Sequence, residues 1–498
     1  MTLSEKGSGE REVRHLLAMA DEIVIHMPNT AKRFAKWREE LHSLLGKPFL
    51  ETALGEAELN KLSMDLRVIW LGIAHEYSDP HLKSPFKWSK RRFPMGGTNG
   101  FKYERLIHPN YLELGCKKYR PTPSGWRSRH MIFRSGMAAI TSLLQNVRPY
   151  LFADNQEPVT LDYFGGYFET KVLFDLFSSP LFSFRRHASQ DGMLHEIEHG
   201  NSQLLFLEPV SYDWEMEALD LNKLYTALTL RKRLPRMIIV DTTIIGNTFP
   251  LDQFLSALPG EPPPIVMQIN SCLKLDQEGL ELANAGIASL FWRRNDTKHG
   301  EAALTLAKKM SRNRMITGTG LSLDEMAILD VPWFLNPERS QAHSQSVFEN
   351  NRQLASILDP VIASADGIFS HVSHPSLRVT ERVPWAVAPF VIFHFREELD
   401  NKKAHTRLTT LLSKVSRKNH LGFGEGMSFG FRGHRFEIIK PNSILHPNGQ
   451  AKWVLKVAMG CRQGPTRDAI INLLAEIAQC SEIPDTVSRH RKGFRSGH

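Results

Sequence analysis

Two short apolar runs decide the fold of this chain: Met237-Ile-Ile-Val-Asp241 and Ile265-Val-Met-Gln-Ile-Asn-Ser-Cys-Leu-Lys274. Runs that are this short and continuously hydrophobic are typical of strands buried on both faces, as in a parallel sheet. Leu204 to Leu207 is a third such run, and it stops directly before Glu208. Ligands of such sheets bind beyond the carboxyl ends of the strands. The polar residues that follow these runs therefore predict a functional site.

On either side of these runs, strands alternate with helices through the middle of the chain. Met131 to Phe133 and Val159 to Tyr163 read as further strands, and Ser135 opens a helix. Such alternation predicts an α/β domain with a mostly parallel sheet over residues 96–335. Residues 336–485 predict a smaller α+β C-terminal domain. Its elements are a long helix, two strands and a closing helix: Glu338 to Leu358, Phe390 to Phe395, Trp453 to Met459 and Thr466 to Ala478.

Residues 1–95 predict an N-terminal helical extension. Apolar residues recur at intervals of three and four in Glu10 to Met27, Ala31 to Leu45 and Glu58 to Ala74, the period of an amphipathic helix. A loop is expected after them, carrying the basic run Lys87-Trp-Ser-Lys-Arg-Arg92 as a solvated face. At the other end, residues 486–498 are basic and predict a disordered tail.

Composition excludes several classes of protein. With 42% hydrophobic and 23% charged residues over 498 positions, the chain has enough apolar material for a large core and is not wholly disordered. No apolar window is long enough to span a membrane, and the start shows no secretory signal. Four scattered cysteines predict neither a disulfide framework nor a metal site, so a cytoplasmic location is expected. The net charge of +9 is compatible with an anionic second substrate, whereas no motif supports nucleic acid as a partner.

Five motifs follow one another along the chain: Ser135-Gly-Met-Ala-Ala-Ile140, Gly165-Gly166, Glu208, Asp241-Thr-Thr243 and Ser271-Cys-Leu-Lys274. Their order and spacing resemble the pyridoxal-phosphate (PLP) enzymes of cysteine and methionine metabolism, the family of cystathionine γ-synthase, cystathionine γ-lyase and methionine γ-lyase. The resemblance runs from about Tyr103 to the end. It implies fold type I, like that of aspartate aminotransferase, with PLP as cofactor. It also implies a homodimer or homotetramer whose active sites are shared between subunits.

The resemblance assigns cofactor roles to particular residues. Lys274 is the catalytic lysine that binds PLP as a Schiff base, and Asp241 keeps the pyridine nitrogen protonated. Gly136 and Met137 offer backbone N–H groups to the phosphate at a helix N-terminus. The other expected cofactor contacts are Phe164, Glu208, Tyr212, Thr243 and Ser271, with Tyr103 and Arg105 reaching the site of the neighbouring subunit. Taken singly, these residues also permit plainer readings: a surface lysine, a strand-end aspartate, a serine N-cap and an ion-pairing arginine.

Three positions depart from the family pattern. Phe164 stands where the family has a ring-stacking tyrosine. A phenylalanine can stack on the cofactor ring but cannot donate a proton, so any proton transfer falls to Tyr163, Tyr167 or Tyr212. Tyr212 itself replaces an asparagine that contacts the cofactor. Lys456 stands in the family's carboxylate site, where it keeps the charge of an arginine but loses the bidentate fork. The predicted substrate-binding set is Ser428, Lys456, Arg432 and Arg435, with Arg462 as a further cation.

The expected function is γ-replacement or γ-elimination on an amino-acid substrate, through a vinylglycine-type intermediate. The departures favour specialised biosynthesis with a homoserine-derived or S-adenosylmethionine-like substrate. A β-eliminating C–S lyase or an aminotransferase on the same scaffold is the second hypothesis, because one fold supports all these reactions. A non-catalytic PLP-fold binding protein is the third.

Overall fold

A computed structural model describes residues 7–78, 82–153, 157–231, 233–378, 383–440, 450 and 452–484. The predicted disordered tail lies outside these residues. Within them, no helix is both long and apolar enough to cross a membrane.

The chain begins with three helices, α1 (Ser8–His26), α2 (Ala31–Leu44) and α3 (Ala53–Ser78). Their apolar faces pack on one another and on the body of the protein in a single hydrophobic core. The indole of Trp70 on α3 is fully buried and donates a hydrogen bond to the carbonyl of Ile328 at 2.8 Å. The predicted helical extension is therefore present, and it is built into the body through a shared core.

The segment after α3 differs from the expected loop. It forms a two-stranded antiparallel ladder of β1 (Ser89–Arg92) and β2 (Thr98–Phe101). A tight turn joins the strands, in which the Phe93 N–H bonds to the Gly97 carbonyl at 2.7 Å. The loop prediction was wrong here because the basic run shows no apolar alternation, and its backbone pairing depends on a partner strand. Helix α4 (Asn110–Tyr119) follows.

A seven-stranded sheet forms the centre of the protein, in the order β3-β9-β8-β7-β6-β4-β5. Strands β4 to β8 are parallel neighbours, whereas β9 runs antiparallel to both β3 and β8. The strands are β3 (Trp126–Phe133), β4 (Val159–Phe164), β5 (Phe182–His187), β6 (Leu204–Leu207), β7 (Met237–Asp241), β8 (Ile265–Ser271) and β9 (Gly286–Arg293). The sheet is thus mostly parallel, as expected.

Helices cover both faces of this sheet, and two separate apolar clusters result. Leu204 and Phe206 of β6 belong to one cluster, while Leu205 and Leu207 belong to the other. A strand buried on both faces has no polar side, which explains the continuous apolar runs in the sequence. The helices of this region are α5 (Gly136–Leu151), α6 (Phe168–Phe177), α7 (Gln190–His199), α8 (Leu221–Leu230), α9 (Leu251–Ala257) and α10 (Thr297–Thr317).

The C-terminal part is smaller and mixes helices with a second sheet. Its five strands lie in the order β10-β11-β14-β13-β12, and the β12–β13 pair is parallel while the others are antiparallel. The elements are α11 (Leu323–Leu329), α12 (Pro337–Ser364), β10 (Phe369–Ser373), β11 (Val391–Phe395), α13 (Lys402–Lys418), β12 (Phe423–Glu425), β13 (His434–Ile439), β14 (Val454–Ala458) and α14 (Pro465–Ala478). The loop between β12 and β13 reaches the carboxyl edge of the large sheet.

Candidate active site

The predicted cofactor residues meet at the carboxyl edge of the large sheet. β7 ends at Asp241, β8 ends at Ser271, and Glu208 directly follows β6. Parallel pairing between these strands brings their ends side by side. Lys274 stands three residues beyond the end of β8. The sheet topology therefore collects residues that are far apart in the sequence.

Lys274 is enclosed rather than solvated. Its Nζ donates a hydrogen bond to the Ser428 hydroxyl at 2.6 Å and lies 5.5 Å from the centroid of the Phe429 ring. Burial, followed by the charge of nearby Lys456, lowers the pKa of Lys274. Its amine is thus more readily neutral, and more nucleophilic at neutral pH, than that of an exposed lysine.

Asp241 brings a buried carboxyl group without a cationic partner. Its Oδ1 accepts the backbone N–H of Thr243 at 2.9 Å. Burial raises the pKa of Asp241, and the hydrogen bonds from Thr243 and the charge of Arg120 offset this only in part. Within the described ranges, no lysine, arginine or histidine forms an ion pair with it. A buried carboxylate in this state favours an added hydrogen-bond donor or positive charge.

Glu208 organises the loop that follows β4. Its carboxylate accepts backbone N–H groups from Gly166, Tyr167 and Tyr212 at 3.2, 3.3 and 2.9 Å. Burial, together with the charge of Asp241, raises the pKa of Glu208 to about 8. Gly165 has φ +134°, and a Cβ there would lie 2.4 Å from the Glu208 carboxyl carbon. The glycine pair of the sequence motif is thus needed because the backbone wraps closely around this carboxylate.

The N-terminus of α5 forms an anion cradle beside the end of β8. Ser135 is the N-cap, and its hydroxyl accepts the Ala138 N–H at 3.0 Å. The N–H groups of Gly136 and Met137 lie in the first turn, where a helix offers no internal acceptor. A Cβ on Gly286 would meet the backbone of Ser135 and Gly136 at 2.3 and 2.4 Å, so this glycine permits the close approach of helix and sheet. The sequence analysis had missed Gly286.

Ser271 lies against this cradle. A Cβ on Gly136 would be 3.4 Å from the Ser271 nitrogen, and that nitrogen donates to the Thr243 hydroxyl at 3.0 Å. Residues from α5, β7 and β8 are therefore neighbours, as the predicted cofactor set requires. Their contact with PLP stays a prediction.

Aromatic rings line the side of the site nearest Lys274. Tyr212 lies 5.5 Å, centroid to centroid, from both Tyr167 and Phe390, and Phe390 lies 5.3 Å from Phe429. Phe164 is different, because it is fully buried within the core beneath this wall. Tyr167 and Tyr212 thus belong to this aromatic wall, whereas the ring of Phe164 lies in the packed interior, and a contact of any of them with the cofactor stays a prediction.

The pKa of Tyr167 also indicates that its ring lies near the site. Burial raises the pKa of Tyr167, and the charges of Glu169 and Asp241 raise it further. Tyr167 therefore lies in the field of the same carboxylate that is predicted to face the pyridine nitrogen. Tyr163 packs on Phe174 in the opposite cluster, 4.9 Å away.

The predicted substrate-binding cations are divided between two places. Lys456 is buried, and it forms an ion pair at 2.5 Å with Glu437, its cross-strand neighbour. Arg435 pairs with Glu281 at 2.5 Å, and its guanidinium lies 3.8 Å from the Phe431 ring centroid. The charges of Lys456 and Arg435 both act on Lys274. Glu437 was missed by the sequence analysis, since its position opposite Lys456 depends on the register of the two strands.

Arg432 and Arg462 point away from the Lys274 amine. Both form ion pairs with Glu12 on α1, at 2.6 and 3.1 Å. They also line a cavity of about 610 Å³ between α1 and α12, whose walls do not include Lys274. Arg432 is thus paired with Glu12 at this cavity, and its role in binding substrate stays a prediction.

Tyr103 and Arg105 lie on the surface before α4. Both are exposed, and the guanidinium of Arg105 lies 5.2 Å from the ring centroid of Tyr103. Their predicted role in a neighbouring subunit needs a second copy of the chain, and it stays a prediction.

Solved structures with the same architecture share little sequence with this chain. A methionine γ-lyase from Micromonospora echinospora matches with a TM-score of 0.52 and 16% identity, over 76% of this chain and 88% of that one. Cystathionine γ-lyase from yeast matches with a TM-score of 0.51 and 14% identity, over 82% and 98%. The metB protein of Corynebacterium glutamicum matches with a TM-score of 0.50 and 14% identity, over 76% and 87%.

No family model matches the sequence, and no curated protein matches it either. The structural neighbours nevertheless carry the names of the family that the motif order resembles. The low identity agrees with a divergent sequence. The chain thus has the fold expected from that resemblance, fold type I of the PLP-dependent enzymes, with a mostly parallel seven-stranded sheet, a smaller C-terminal sheet and N-terminal helices.

Proposed function

We propose that this protein is a PLP-dependent enzyme that performs γ-replacement or γ-elimination on an amino-acid substrate, with Lys274 as its catalytic lysine. The observation that carries the proposal is the meeting of three features at one sheet edge. They are an enclosed amine of lowered pKa, the Asp241 carboxyl group, whose pKa is raised by burial, and the N-terminus of α5. An amine, an acid and an anion cradle are the groups that PLP requires of its protein.

The residues present fit PLP. Asp241 is half-buried and forms no ion pair with any residue that the structure describes, so a protonated pyridine nitrogen would complete its interactions. Gly136 and Met137 offer N–H groups and the positive end of the helix dipole to a phosphate, with Ser271 beside them. Gly286 leaves the space that this close approach needs. Each end of the cofactor thus has a partner of suitable chemistry.

When bound, PLP supplies a ring that stabilises negative charge on the substrate carbon next to the amine. Lys274 would accept the proton from that carbon, and it would then shuttle protons to and from the neighbouring carbon, whose deprotonation allows the group on the γ-carbon to leave. Its lowered pKa suits this task, since a base must be unprotonated at the working pH. Asp241 would hold the proton at the pyridine nitrogen.

Around the amine, Ser428, Lys456 and Arg435 are the groups proposed to bind the substrate carboxylate. Ser428 is within hydrogen-bonding distance of Lys274, so a carboxylate held there would place the reacting carbon near the base. Lys456 and Arg435 are each paired with a glutamate. The substrate would therefore compete with Glu437 or Glu281, which favours substrates with a second anchoring group. An anionic second substrate and a role in specialised biosynthesis belong to the same proposal.

The first experiment asks whether Lys274 holds PLP. The full chain is incubated with PLP, reduced with borohydride and digested, and the modified peptide is identified by mass spectrometry. We expect one pyridoxyl group on Lys274 and a yellow protein before reduction. The matched control is Lys456→Met, because Lys456 is a second buried lysine in the same site with a lowered pKa. That variant should still be labelled at Lys274, and Lys274→Ala should not be labelled in the site.

The proposal would be overturned if Lys456→Met abolished the labelling while Lys274→Ala kept it. It would also be overturned if the chain took up no PLP. The reaction is then assigned from products, using O-acetylhomoserine, cystathionine and S-adenosylmethionine as probes. Formation of 2-oxobutanoate or a replacement product supports γ-chemistry. Pyruvate from cystathionine would favour a β-eliminating lyase, and a keto acid with amine transfer would favour an aminotransferase. Labelled but inert protein would favour a binding role.

Shared active sites are the oligomeric part of the proposal. Tyr103 and Arg105 are exposed in the single chain, and the resemblance places them at a neighbouring subunit's phosphate. Two inactive variants, Lys274→Ala and Arg105→Ala, are mixed after mild dissociation and reassociated. If sites are shared, mixed oligomers contain intact sites and about a quarter of the activity returns. A mixture that stays inactive, from variants that do reassociate, would contradict shared sites.

A further inference from the structure

The turn Ser428-Phe429-Gly430 lies directly on Lys274. Ser428 accepts the hydrogen bond from Nζ and has φ +72°, a conformation that few non-glycine residues adopt. Gly430 has φ +80°, and a Cβ there would lie 2.7 Å from the Lys274 carbonyl oxygen. The turn belongs to neither β12 nor β13, so strand pairing does not hold it in this unfavourable conformation. Other contacts must do so.

Arg432, two residues after the turn, supplies the main anchor. Its guanidinium is buried and donates to the Glu278 carbonyl at 3.0 Å. It also donates to both carboxylate oxygens of Glu12, at 2.8 and 2.6 Å from Nη2, with a further bond of 3.1 Å from Nε. His343 lies 2.8 Å from the Gly430 carbonyl. The turn is therefore held between α12 and the N-terminal helix α1.

Glu12 is shared by two guanidinium groups. Arg462 donates to its Oε1 at 3.3 and 3.1 Å, and reaches on to the Leu59 carbonyl of α3 at 3.2 Å. Burial alone would raise the pKa of Glu12, but the two arginines hold it far below its usual value. Glu12 is thus charged at all physiological pH values. It is the carboxylate that keeps two buried arginines close together, and this set is called the Glu12 clamp below.

We infer that Glu12 is a positioning residue for the Lys274 amine, acting through Arg432 on the turn that carries Ser428 and Phe429. The inference rests on the proposed function in that Lys274 is taken as the reactive amine. Without the Glu12 charge, Arg432 and Arg462 repel each other across a buried space, and Arg432 moves toward solvent or Glu278. The turn then loses its anchor and relaxes toward ordinary backbone angles. Lys274 loses the Ser428 oxygen and gains water.

The test measures the amine itself and needs no catalytic turnover. The full chain is stripped of any PLP with hydroxylamine and reductively methylated with formaldehyde and cyanoborohydride. The rate at Lys274 is followed by peptide mass spectrometry as a function of pH. In Glu12→Gln, better solvation favours the charged ammonium. We therefore expect methylation near neutral pH to be slower by about threefold, with its pH midpoint displaced upward.

The matched control is Glu56→Gln. Glu56 also joins the extension to the C-terminal part, accepting the Thr466 N–H at 2.8 Å, but it does not contact the turn. Glu56→Gln should leave the Lys274 methylation profile unchanged. If both variants shift the profile equally, general loosening explains the effect and the inference fails. If Glu12→Gln leaves the profile unchanged, the inference fails as well.

A double-mutant cycle separates positioning from structure. Ser428→Ala removes the hydrogen-bond acceptor of Lys274 directly. If Glu12 acts through this turn, Glu12→Gln adds little further change in the methylation rate to Ser428→Ala. Fully additive effects would overturn the route through Ser428. If the wild-type chain binds no PLP but the variants show these changes in methylation rate, the proposed function is refuted and the role of the clamp is supported. The two failures are therefore distinguishable.

Discussion

The Lys274 site and the Glu12 clamp treat buried charge in opposite ways. At the carboxyl edge of the large sheet, neither Asp241 nor Glu208 forms an ion pair with a residue in the described part of the chain, and burial raises the pKa of both. In the clamp, Glu12 is just as enclosed but faces two guanidinium groups, and its pKa is lowered. Uncompensated charge is costly in a folded protein unless a ligand completes it. The contrast indicates that the first region is suited to binding a ligand and that the second stabilises the fold.

Of the two regions, the Glu12 clamp should contribute more to the free energy of unfolding than the Lys274 site. Glu12→Gln leaves two buried arginines without their carboxylate, and breaking such a pair costs about 3–5 kcal/mol. We expect the free energy of unfolding in urea to fall by an amount in that range at neutral pH. Because the folded pKa of Glu12 is depressed, its contribution is present above the unfolded value of 4.5 and lost as the pH falls below it. A variant as stable as the wild type would show that the clamp is not a structural anchor.

At the site, the sign of the pH dependence reverses. The pKa of Glu208 is raised from 4.5 to about 8, so the folded state prefers the protonated carboxyl. Its favourable effect on stability is complete below pH 4.5 and is lost as the pH rises through 8. Across this window we expect the wild-type chain to lose on the order of 3 kcal/mol, and Glu208→Gln to flatten the curve. Parallel curves for both proteins, recorded by urea unfolding from pH 5 to 9, would argue against this assignment.

Asp241→Asn should separate function from stability. Asparagine cannot hold the proton at the pyridine nitrogen, so we expect activity to fall about a hundredfold, equivalent to about 2.7 kcal/mol in the barrier. Stability without PLP should be unchanged or higher at neutral pH, because the raised pKa means that the buried carboxylate opposes folding. Steady-state kinetics and thermal unfolding of the same preparation test both parts. Loss of stability together with activity would mean that Asp241 is a structural residue.

The smallest effect is expected at an ion pair within the extension itself. Asp21 on α1 pairs with Arg38 on α2, and more than half of the Asp21 side chain is exposed. Asp21→Asn should change the free energy of unfolding by less than about 0.5 kcal/mol, because exposed pairs are screened by water and salt. A loss of unfolding free energy comparable to that of Glu12→Gln would show that the packing of α1 as a whole, rather than the clamp, stabilises this region.

Much of the fold was predictable because burial leaves a local pattern. The runs ending at Leu207 and Asp241 are continuous in hydrophobicity, and both became strands covered on two faces. The long helix predicted from Glu338 to Leu358 extends from Pro337 to Ser364. By contrast, β1 and β2 were missed, since basic residues at an exposed edge have no periodic signal. Local patterns report the environment of a side chain but not the identity of its neighbours.

The site was predictable in part for the same reason. Asp241 and Ser271 are the last residues of neighbouring strands and Lys274 lies three residues further on, so parallel pairing had to bring them to one edge. Tyr167 was only one of three tyrosine candidates, and Phe164 was expected to stack on the ring. The structure distinguishes Phe164 from Tyr167. Phe164 is the last residue of β4 and is buried, whereas Tyr167 follows the glycine turn whose backbone contacts Glu208.

By itself, the sequence determined the class of fold and placed Lys274 and Asp241, the candidate amine and acid, near the carboxyl ends of neighbouring strands. Only the tertiary structure decided the partners of the remaining charges. Glu437 meets Lys456 through the register of two strands, and Glu12 meets Arg432 through the packing of an N-terminal helix against a distant turn. The physical reason is that a strand or helix is specified by the spacing of neighbouring residues. A salt bridge depends on where whole elements come to rest, which no local spacing encodes.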